Sequence, residues 1–551
     1  MKTIVSFAAA TCLAAMLLTG LVSSGQPRLQ KNGAATQLMV EGKPFLVLGA
    51  ELHNSSSSSL DYMAPLWQPL QQMNLNTVLA AVSWQLTEPQ ENKWDFSHVD
   101  GILKGAREHG LKVVLLWFGS WKNGLSHYTP AWVKQDGRRF PRVRLSNGKP
   151  TETITALSAE AAGADAKAFA ALLRHVKEVD AQQQTVIMVQ VENEAGVIGD
   201  TRDHSEAANA LFAKPVPAEL LKGLMDTRNE WQPALKKHWE EAGSKTRGSW
   251  TELFGQTPFA DEAFMAWQYA RYMNQVAAAG KAAYNLPMFV NTWVVQPEDR
   301  LPGDYPAGGP QAQVHDIWRI GAPSVDIKAP DIYLPAFKEI AALYHHSWNP
   351  LFVPESFTGD AGTANAFYAI GQHNAIGYSP FGIDAKESAA GNAVIAKAYH
   401  VLAQLSPDIL AAQTQNAVRA VALSGKDSVQ SLELGGYRLL VTLRKSWSGI
   451  AQATKGYALV IHTGKDEFTV AGADTDILFL PASPGPAMAG LLSVYEGAYE
   501  NGVWKAGRLL NGDDIMMSYK LAGEAAANRT GTGVRLRSEP GIMKVKLYRF
   551  E

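Results

Sequence analysis

Cysteine is nearly absent from this sequence, and the one cysteine, Cys12, lies in an apolar stretch near the N-terminus. If that stretch is removed, the mature chain carries no thiol, which excludes disulfide bonds, cysteine-ligated zinc and a cysteine nucleophile. An excess of charge of one sign is also missing, because 50 Lys and Arg residues balance 52 Asp and Glu residues. The formal net charge of -2 gives no electrostatic reason to expect nucleic acid or an anionic membrane as a partner.

Long apolar runs are missing after the N-terminus, so no second membrane-spanning segment is expected. The one such run, residues 4–22, follows Lys2 and precedes the small residues Ser23, Ser24 and Gly25. This order is typical of a secretory signal peptide, which is predicted over residues 1–25, with an uncleaved anchor as the alternative. We therefore expect an exported protein, periplasmic or secreted, that meets the membrane only through this transient segment.

Motifs for common cofactors are lacking as well. The sequence has no phosphate-loop pattern and no strand–GxGxxG–helix fingerprint for a dinucleotide. The adjacent pair His345 and His346 is a poor metal site, because neighbouring residues do not share a helix face. We expect neither a cofactor nor a metal ion.

The chain does contain a long alternation of short apolar runs and helical stretches. Candidate strands fall at residues 45–51, 77–83, 113–118, 185–192, 288–291, 326–333, 351–355 and 374–380. Strands that alternate with helices favour parallel βα units, and eight such units close a TIM barrel. A (β/α)8 TIM barrel is therefore predicted over residues 36–410.

The sequence pattern changes after residue 415. Glycine-punctuated runs in which apolar and polar residues alternate follow, as at 437–443, 457–462 and 543–550. This pattern predicts an antiparallel β domain, a β-sandwich or jelly roll, over residues 416–551. Such a domain either binds carbohydrate or packs on the barrel and stabilises it.

Two of the apolar runs end in glutamate. Residues 189–194 are Val-Gln-Val-Glu-Asn-Glu, and residues 351–355 end in Glu355. Glu192 and Glu194 would point to the same side if the strand stayed extended. In a barrel, Glu194 and Glu355 would meet over one mouth; the alternative is that each is a strand-end residue paired with Arg or Lys.

Two facing carboxyl groups are what glycoside hydrolysis needs. One protonates the leaving oxygen, while the other must be ionised. A separation of about 5–5.5 Å allows direct nucleophilic attack, whereas a gap of about 6.5–9.5 Å admits a water molecule and inverts the sugar. Placing the two carboxyls together also raises one pKa, which keeps a proton on the acid.

These motifs resemble those of family 35 β-galactosidases, within the clan of TIM-barrel retaining glycosidases. Residues 190–194 match that family's acid/base motif, although Ala195 stands where a Tyr usually follows. Residues 84–89 resemble its Trp-Asn-x-His-Glu-Pro segment, with Trp-Asp-Phe following at 94–96. Residues 355–359, Glu-Ser-Phe-Thr-Gly, resemble the nucleophile motif. The resemblance covers roughly residues 36–400, and the C-terminal part resembles a β domain from a bacterial branch of these proteins.

The resemblance implies roles for individual residues. Glu194 would be the acid/base and Glu355 the nucleophile. Asn193 would hold the sugar's 2-hydroxyl, and Tyr333 would donate a hydrogen bond to Glu355 and orient it. Further residues are predicted to line the pocket; they are Trp84, Glu88, Glu51 and His53, the last two with a buried hydrogen-bonded role as the alternative.

The sequence departs from the family at two places. Ala81 stands where a Tyr is expected, and Gly119-Ser120-Trp121 replaces Ala-Glu-Trp, so a sugar-contacting Glu is missing. The residues predicted to rebuild this wall of the sugar pocket are Trp117, Trp121, Lys122 and Asn123.

Together these features predict a retaining exo-β-galactosidase. Its substrate would be a neutral glycan, either galactose-capped oligosaccharides or plant cell-wall side chains such as those of xyloglucan-type glycans. One alternative is another retaining β-glycosidase specificity on the same barrel. The other is a barrel that binds carbohydrate and has lost activity, although the presence of both Glu194 and Glu355 argues against it.

Overall fold

The structure, a computed structural model, describes residues 25–445, 453–510, 512–515 and 532–551. The predicted signal peptide lies, except for Gly25, outside the described residues. Among the helices within those ranges, none combines the length and the apolar character that a membrane crossing requires.

The β-strands of the described ranges are numbered in chain order. They are β1 Arg28–Asn32, β2 Ala35–Val40, β3 Lys43–Phe45, β4 Val47–Glu51, β5 Thr77–Ser83, β6 Lys112–Phe118, β7 Arg142–Arg144, β8 Pro150–Ile154, β9 Val186–Val191, β10 Met288–Trp293, β11 Ile327–Asp331, β12 Gly377–Tyr378, β13 Val418–Ser424, β14 Val429–Leu434, β15 Tyr437–Leu443, β16 Lys455–Gly464, β17 Glu467–Ala473, β18 Thr475–Pro481, β19 Met488–Glu500, β20 Val503–Leu509, β21 Thr532–Leu536 and β22 Gly541–Phe550.

The α-helices of the same ranges are numbered likewise. They are α1 Leu60–Met63, α2 Trp67–Gln72, α3 Trp84–Thr87, α4 Ser97–Glu108, α5 Ala131–Gln135, α6 Ala159–Asp180, α7 Glu206–Phe212, α8 Ala218–Asp226, α9 Pro233–Glu241, α10 Trp250–Phe254, α11 Pro258–Ala283, α12 His315–Gly321, α13 Phe337–Tyr344, α14 Gly359–Gln372 and α15 Ala389–Thr414.

Seven parallel strands form one sheet in the order β11-β10-β9-β6-β5-β4-β12. The segment predicted as a strand at 351–355 makes isolated parallel bridges instead, one from Val353 to Tyr378 and one from Ser356 to Ile332. It therefore lies between the two edge strands, β12 and β11. Parallel strands alternating with helices in this way have the arrangement of a TIM barrel, as predicted.

Two prolines explain why the segment at 351–355 is not a continuous strand. Pro350 and Pro354 have no backbone N–H and cannot donate to a neighbouring strand. The segment still accepts backbone hydrogen bonds from its two neighbours. The Ile376 N–H donates to the Leu351 carbonyl at 2.8 Å, and the Ile332 N–H donates to the Glu355 carbonyl at 3.0 Å. Glu355 is thus held at the barrel rim by backbone bonds on both sides of the segment.

Apolar side chains fill the barrel. Val47, Leu116 and Phe289 belong to one buried cluster, which Leu38 and Val40 of β2 also join. Burial of such side chains is the main favourable term in folding. The small antiparallel sheet β1-β2-β3 therefore closes the end at which the parallel strands begin, and leaves the other end for polar groups.

The chain after α15 forms two antiparallel sheets, β13-β16-β17-β22-β19-β20 and β14-β15-β18-β21. Val460 of the first sheet and Leu439 of the second belong to a common buried cluster. Leu459, on the other face of β16, shares the barrel's own cluster with Ile370 of α14 and Leu405 of α15. The predicted antiparallel region is thus packed directly on two barrel helices.

Candidate active site

Four carboxyl groups meet where the parallel strands end. Glu51 ends β4 and Asp331 ends β11. Glu194 follows β9, and Glu355 lies in the segment 351–355 between β12 and β11. Their relative exposures are 0%, 2%, 8% and 5% respectively. Carboxylate oxygens of Glu194, Asp331 and Glu355 lie within 4.8 Å of one another. The structure therefore brings the two predicted catalytic glutamates together and adds a third acid to them.

The backbone turns sharply between β9 and Glu194. Glu192 and Glu194 have φ values of 59° and 44°, in the left-handed region that non-glycine residues rarely adopt. Such a conformation costs on the order of 1–3 kcal/mol per residue and persists where the surroundings enforce it. The strand therefore does not stay extended, and Glu192 and Glu194 do not share one side: Glu192 turns inward and Glu194 turns to the mouth.

Glu192 forms a buried carboxyl pair with Asp165 of α6. Its Oε2 accepts the backbone N–H of Trp121 at 2.8 Å. Asp165 accepts the Trp117 indole N–H at 2.8 Å and the Ser120 hydroxyl at 2.7 Å. Burial, and next the Asp165 charge, raises the pKa of Glu192 well above its ordinary value. Burial therefore favours the protonated form of Glu192, and its bond to Trp121 ties the loop after β6 to the loop carrying Glu194.

Ser120 stands where the family-35 resemblance predicts a sugar-contacting Glu. Its hydroxyl is bonded to Asp165 at 2.7 Å and to the Tyr272 hydroxyl at 2.6 Å, and the residue is fully buried. Ser120 thus faces the protein interior and not the mouth.

Glu194 has the electrostatic setting of a general acid. Burial, followed by the nearby Glu355 charge, raises its pKa to about 7, while Lys122 acts in the opposite direction. A carboxyl group with such a pKa keeps its proton near neutral pH and can still give it up.

Asn291 of β10 joins three of the acids. Its side-chain oxygen accepts the Glu194 backbone N–H at 2.9 Å. Its amide donates to Asp331 at 2.7 Å and to Glu355 at 3.3 Å. The Tyr333 hydroxyl donates to the other Glu355 oxygen at 3.1 Å, in the orientation predicted for this tyrosine. Asn291 and Tyr333 together fix the direction in which the Glu355 carboxylate points.

Lys122 is the buried cation of this cluster. Its Nζ donates to the Asn193 side-chain oxygen at 2.9 Å, and the residue is only 7% exposed. Burial lowers the pKa of Lys122, but the charges of Glu355, Glu194, Glu51 and Asp331 outweigh it, so the pKa is raised overall. Lys122 therefore stays charged and balances part of the negative charge around it.

Three residues of this cluster have side-chain atoms that lack protein partners among the described residues. These atoms are the side-chain amide nitrogen of Asn193, Oδ1 of Asp331 and both carboxyl oxygens of Glu51. Burial, and then Glu355, raises the pKa of Glu51 well above its ordinary value. Asn193 and Glu51 have no exposed surface in this conformation, and these atoms lack the partner that buried polar groups normally find.

Four residues predicted to line the pocket lie in the interior instead. Trp84, Trp117 and Trp121 have no exposed surface. The Trp84 indole donates to Glu88 at 2.8 Å, and the other Glu88 oxygen accepts the Asn92 backbone N–H at 2.7 Å. The Trp121 indole donates to the Ile154 carbonyl at 3.0 Å. In this conformation the three indoles and Glu88 hold the loops in place and offer no surface to a sugar.

The remaining predicted residues lie at the surface. Asn123 is exposed in a tight turn, with φ 51°. The His53 side chain is 48% exposed, with its Nδ1 3.0 Å from Asp384. Their contact with substrate stays a prediction.

Sequence reasoning missed Asp331, Asn291 and Asp165. Asp331 and Asn291 stand near the ends of predicted strands, which is where barrel enzymes carry functional residues, so their positions were a usable signal. Asp165 lies inside α6, and nothing in the helix sequence shows that it faces Glu192.

Residues 63–284 match the family model described as beta-galactosidase, Glyco_hydro_42. Residues 395–521 match a domain of unknown function, DUF5597. The first match contains Glu194 and ends before Glu355. It indicates a glycoside hydrolase of β-galactosidase-like type, whereas membership of family 35 stays a prediction.

Individual relatives match over part of the chain. A β-galactosidase from Xanthomonas manihotis is 30% identical over 186 residues, which are 32% of this chain and 28% of that protein. The match therefore spans less than a third of this relative's length. Among solved structures, the β-amylase catalytic domain from Paenibacillus polymyxa is 12% identical and covers 64% of this chain and 98% of its own, with a TM-score of 0.46. The β-galactosidase from Marinomonas ef1 is 13% identical and covers 66% and 62%, with a TM-score of 0.42.

Proposed function

We propose that this protein is a retaining exo-β-galactosidase that works by double displacement. The observation that carries the proposal is the approach of Glu194 and Glu355, whose oxygens lie within 4.8 Å of each other at the strand ends. One oxygen of each group lies within this limit. Such a close approach favours the retaining arrangement, with carboxyl groups about 5–5.5 Å apart, over the inverting one, in which a gap of about 6.5–9.5 Å holds a water molecule.

In the first step, Glu355 attacks the anomeric carbon while Glu194 donates its proton to the glycosidic oxygen. The carbon–oxygen bond to the leaving group breaks, and a glycosyl ester of Glu355 forms. In the second step, Glu194 removes a proton from water, the water attacks the anomeric carbon, and the Glu355 carboxylate is released. Tyr333 and Asn291 orient Glu355 in both steps.

The choice of galactose rests on the match to the β-galactosidase model and on the Xanthomonas manihotis relative. In this proposal the Asn193 amide, which has no protein partner among the described residues, donates to a sugar hydroxyl, and Lys122 holds the side-chain oxygen of Asn193. Galactose-capped oligosaccharides, including side chains of xyloglucan-type polysaccharide, are the substrates we propose. We also propose that the signal peptide directs export of the protein. The region 416–551 is proposed to be a β-sandwich that stabilises the barrel.

The test is hydrolysis of a panel of nitrophenyl glycosides, followed by azide rescue. We expect the β-galactoside to be the best substrate, with Glu355→Ala and Glu194→Ala both severely impaired. Azide should restore turnover in each, giving the α-galactosyl azide with Glu355→Ala and the β-galactosyl azide with Glu194→Ala. This follows because each displacement inverts the anomeric carbon once.

Glu240→Ala, on the exposed face of α9, is the matched control and should behave as the wild type. Full activity of Glu355→Ala would refute the mechanism. Preference for another β-glycoside with the same azide products would keep the mechanism and refute galactose.

A further inference from the structure

Asp331 has no part in the double displacement, yet it lies within 4.8 Å of both catalytic carboxyl groups. It ends β11 and is 2% exposed. Its Oδ2 accepts the Asn291 amide at 2.7 Å, while its Oδ1 has no hydrogen-bond donor among the described residues. A carboxyl group this deeply buried beside two other carboxyl groups, with one oxygen unpaired, requires an explanation.

Acidic groups outnumber basic ones around Asp331. Its charge interacts with titratable groups from several elements; they are Glu51 of β4, Lys122 after β6, Glu194 after β9, Tyr333 after β11, Tyr344 of α13 and Glu355. Lys122 is the one cation among them. A single cation cannot neutralise four carboxylates that are this deeply buried, so some of these acids must hold protons.

The reaction decides which acid stays ionised. Glu355 must be an anion to attack, which takes up the charge of Lys122. Glu194 and Asp331 are then neighbours that can share a hydrogen bond only if at least one of them is protonated. Burial, and then the charges of Glu355 and Glu194, raises the pKa of Asp331 well above its ordinary value.

We propose that Asp331 is a positioning residue that stays protonated throughout the cycle and donates a hydrogen bond from its carboxyl group to Glu194. This inference rests on the proposed function. When Glu194 has given its proton to the leaving oxygen, the Asp331 hydroxyl stabilises the new Glu194 carboxylate. When Glu194 takes a proton from water, the same bond persists to a neutral acceptor. Asp331 itself neither gains nor loses a proton.

The first measurement is the pH profile of kcat/KM for Asp331→Asn and Asp331→Ala. The amide keeps a donor toward Glu194 and an acceptor toward Asn291, so we expect a loss of about tenfold or less, against about a hundredfold or more for the alanine variant. Because the amide replaces a neutral acid, the alkaline limb set by Glu194 should move by less than about half a pH unit. A fall of that limb by about one unit or more would show that a negative charge was removed, and would overturn the proposal.

The second measurement does not need activity. A native Asp331 that keeps its proton, when the unfolded chain releases it above pH about 4, makes the wild type lose stability as pH rises. Asp331→Asn lacks this loss, so its Tm minus that of the wild type should increase from pH 4 to pH 8. The exposed control Asp226→Asn on α8 should show no such trend.

The two readouts separate the two proposals. A flat or falling Tm difference means that Asp331 is ionised, which overturns its assignment whether or not the enzyme is active. Absence of hydrolysis in the wild type, together with a rising Tm difference, refutes the proposed function and with it the role toward Glu194. A rising difference with an unmoved alkaline limb supports both.

Discussion

At the residue scale, Glu194 sets the pH range of the reaction. Its pKa of about 7 means that the acid form is lost as pH rises through neutrality, so kcat/KM should decline above about pH 7. The same role makes Glu194→Gln sensitive to the leaving group. We expect kcat/KM to fall by about 10²–10⁴-fold on an unactivated disaccharide. It should fall much less on a dinitrophenyl galactoside, because that leaving group needs no proton. Equal losses on both substrates would contradict the assignment of Glu194 as acid.

Lys122 tunes that acid. Its charge lowers the pKa of Glu194, so Lys122→Met should move the alkaline limb of kcat/KM to higher pH. The rate should fall by at least about tenfold, because the amide of Asn193 also loses its anchor. The exposed Lys104→Met in α4 is the control and should leave the profile unchanged. An alkaline limb that stays in place or falls in Lys122→Met would show that Lys122 does not act on Glu194.

Glu192 supports the site from behind. Glu192→Gln should be tolerated, because an amide can donate to Asp165 and accept the Trp121 N–H where the protonated acid did. Glu192→Ala leaves a cavity and an unpaired buried N–H, and should lower the free energy of unfolding by about 2–5 kcal/mol in denaturant titration. Equal free energies of unfolding for the two variants would mean that the hydrogen bonds of Glu192 do not stabilise the protein.

At the element scale, the sequence pattern predicted the strands well where the apolar runs were continuous. β5 spans Thr77–Ser83 as predicted, and β6 differs from its prediction by one residue. The turn at Glu192 and Glu194 could not be predicted, because glutamates in the left-handed region leave no local sequence signal. The meeting of Asp165 with Glu192 was equally hidden, since it depends on how α6 packs against β9.

The contact between α14 and the C-terminal sheets depends on one glycine. A Cβ added at Gly371 would lie 2.6 Å from the Ala420 side chain and 3.1 Å from that of Leu459. Gly371→Val should therefore destabilise the protein by about 1–3 kcal/mol or more through overpacking.

Gly163 in α6 is the matched control, because a Cβ there meets nothing within 4 Å. Gly163→Ala should stabilise by about 0.5–1 kcal/mol, since alanine is the better helix former. Denaturant unfolding measures both variants. If Gly371→Val left the free energy of unfolding unchanged, α14 and β13 could move apart without loss of stability.

At the scale of the whole molecule, the site is acidic inside a chain that is nearly neutral outside. Four carboxyls and Lys122 lie at the barrel mouth, while the formal net charge is only -2. Both facts suit a neutral glycan, because the buried acids would repel an anionic sugar and the surface does not attract one. Composition predicted the small net charge, and the strand-end motifs predicted that Glu194 and Glu355 would meet; the fourth acid, Asp331, becomes evident only when the strands converge.

The C-terminal sheets cover an apolar face of the barrel helices α14 and α15. Ile370 and Leu405 are fully buried, and they share a cluster with Leu459 and Ile461 of β16. Removal of residues 416–551 would expose this apolar face on α14 and α15, and extended apolar patches cause aggregation. We expect the barrel alone, residues 25–415, to be poorly soluble and to unfold at a lower temperature than the whole chain. Replacing Ile370 and Leu405 by Gln in the truncated chain should restore solubility. A soluble, fully active barrel with a wild-type Tm would show that the sheets do not brace it.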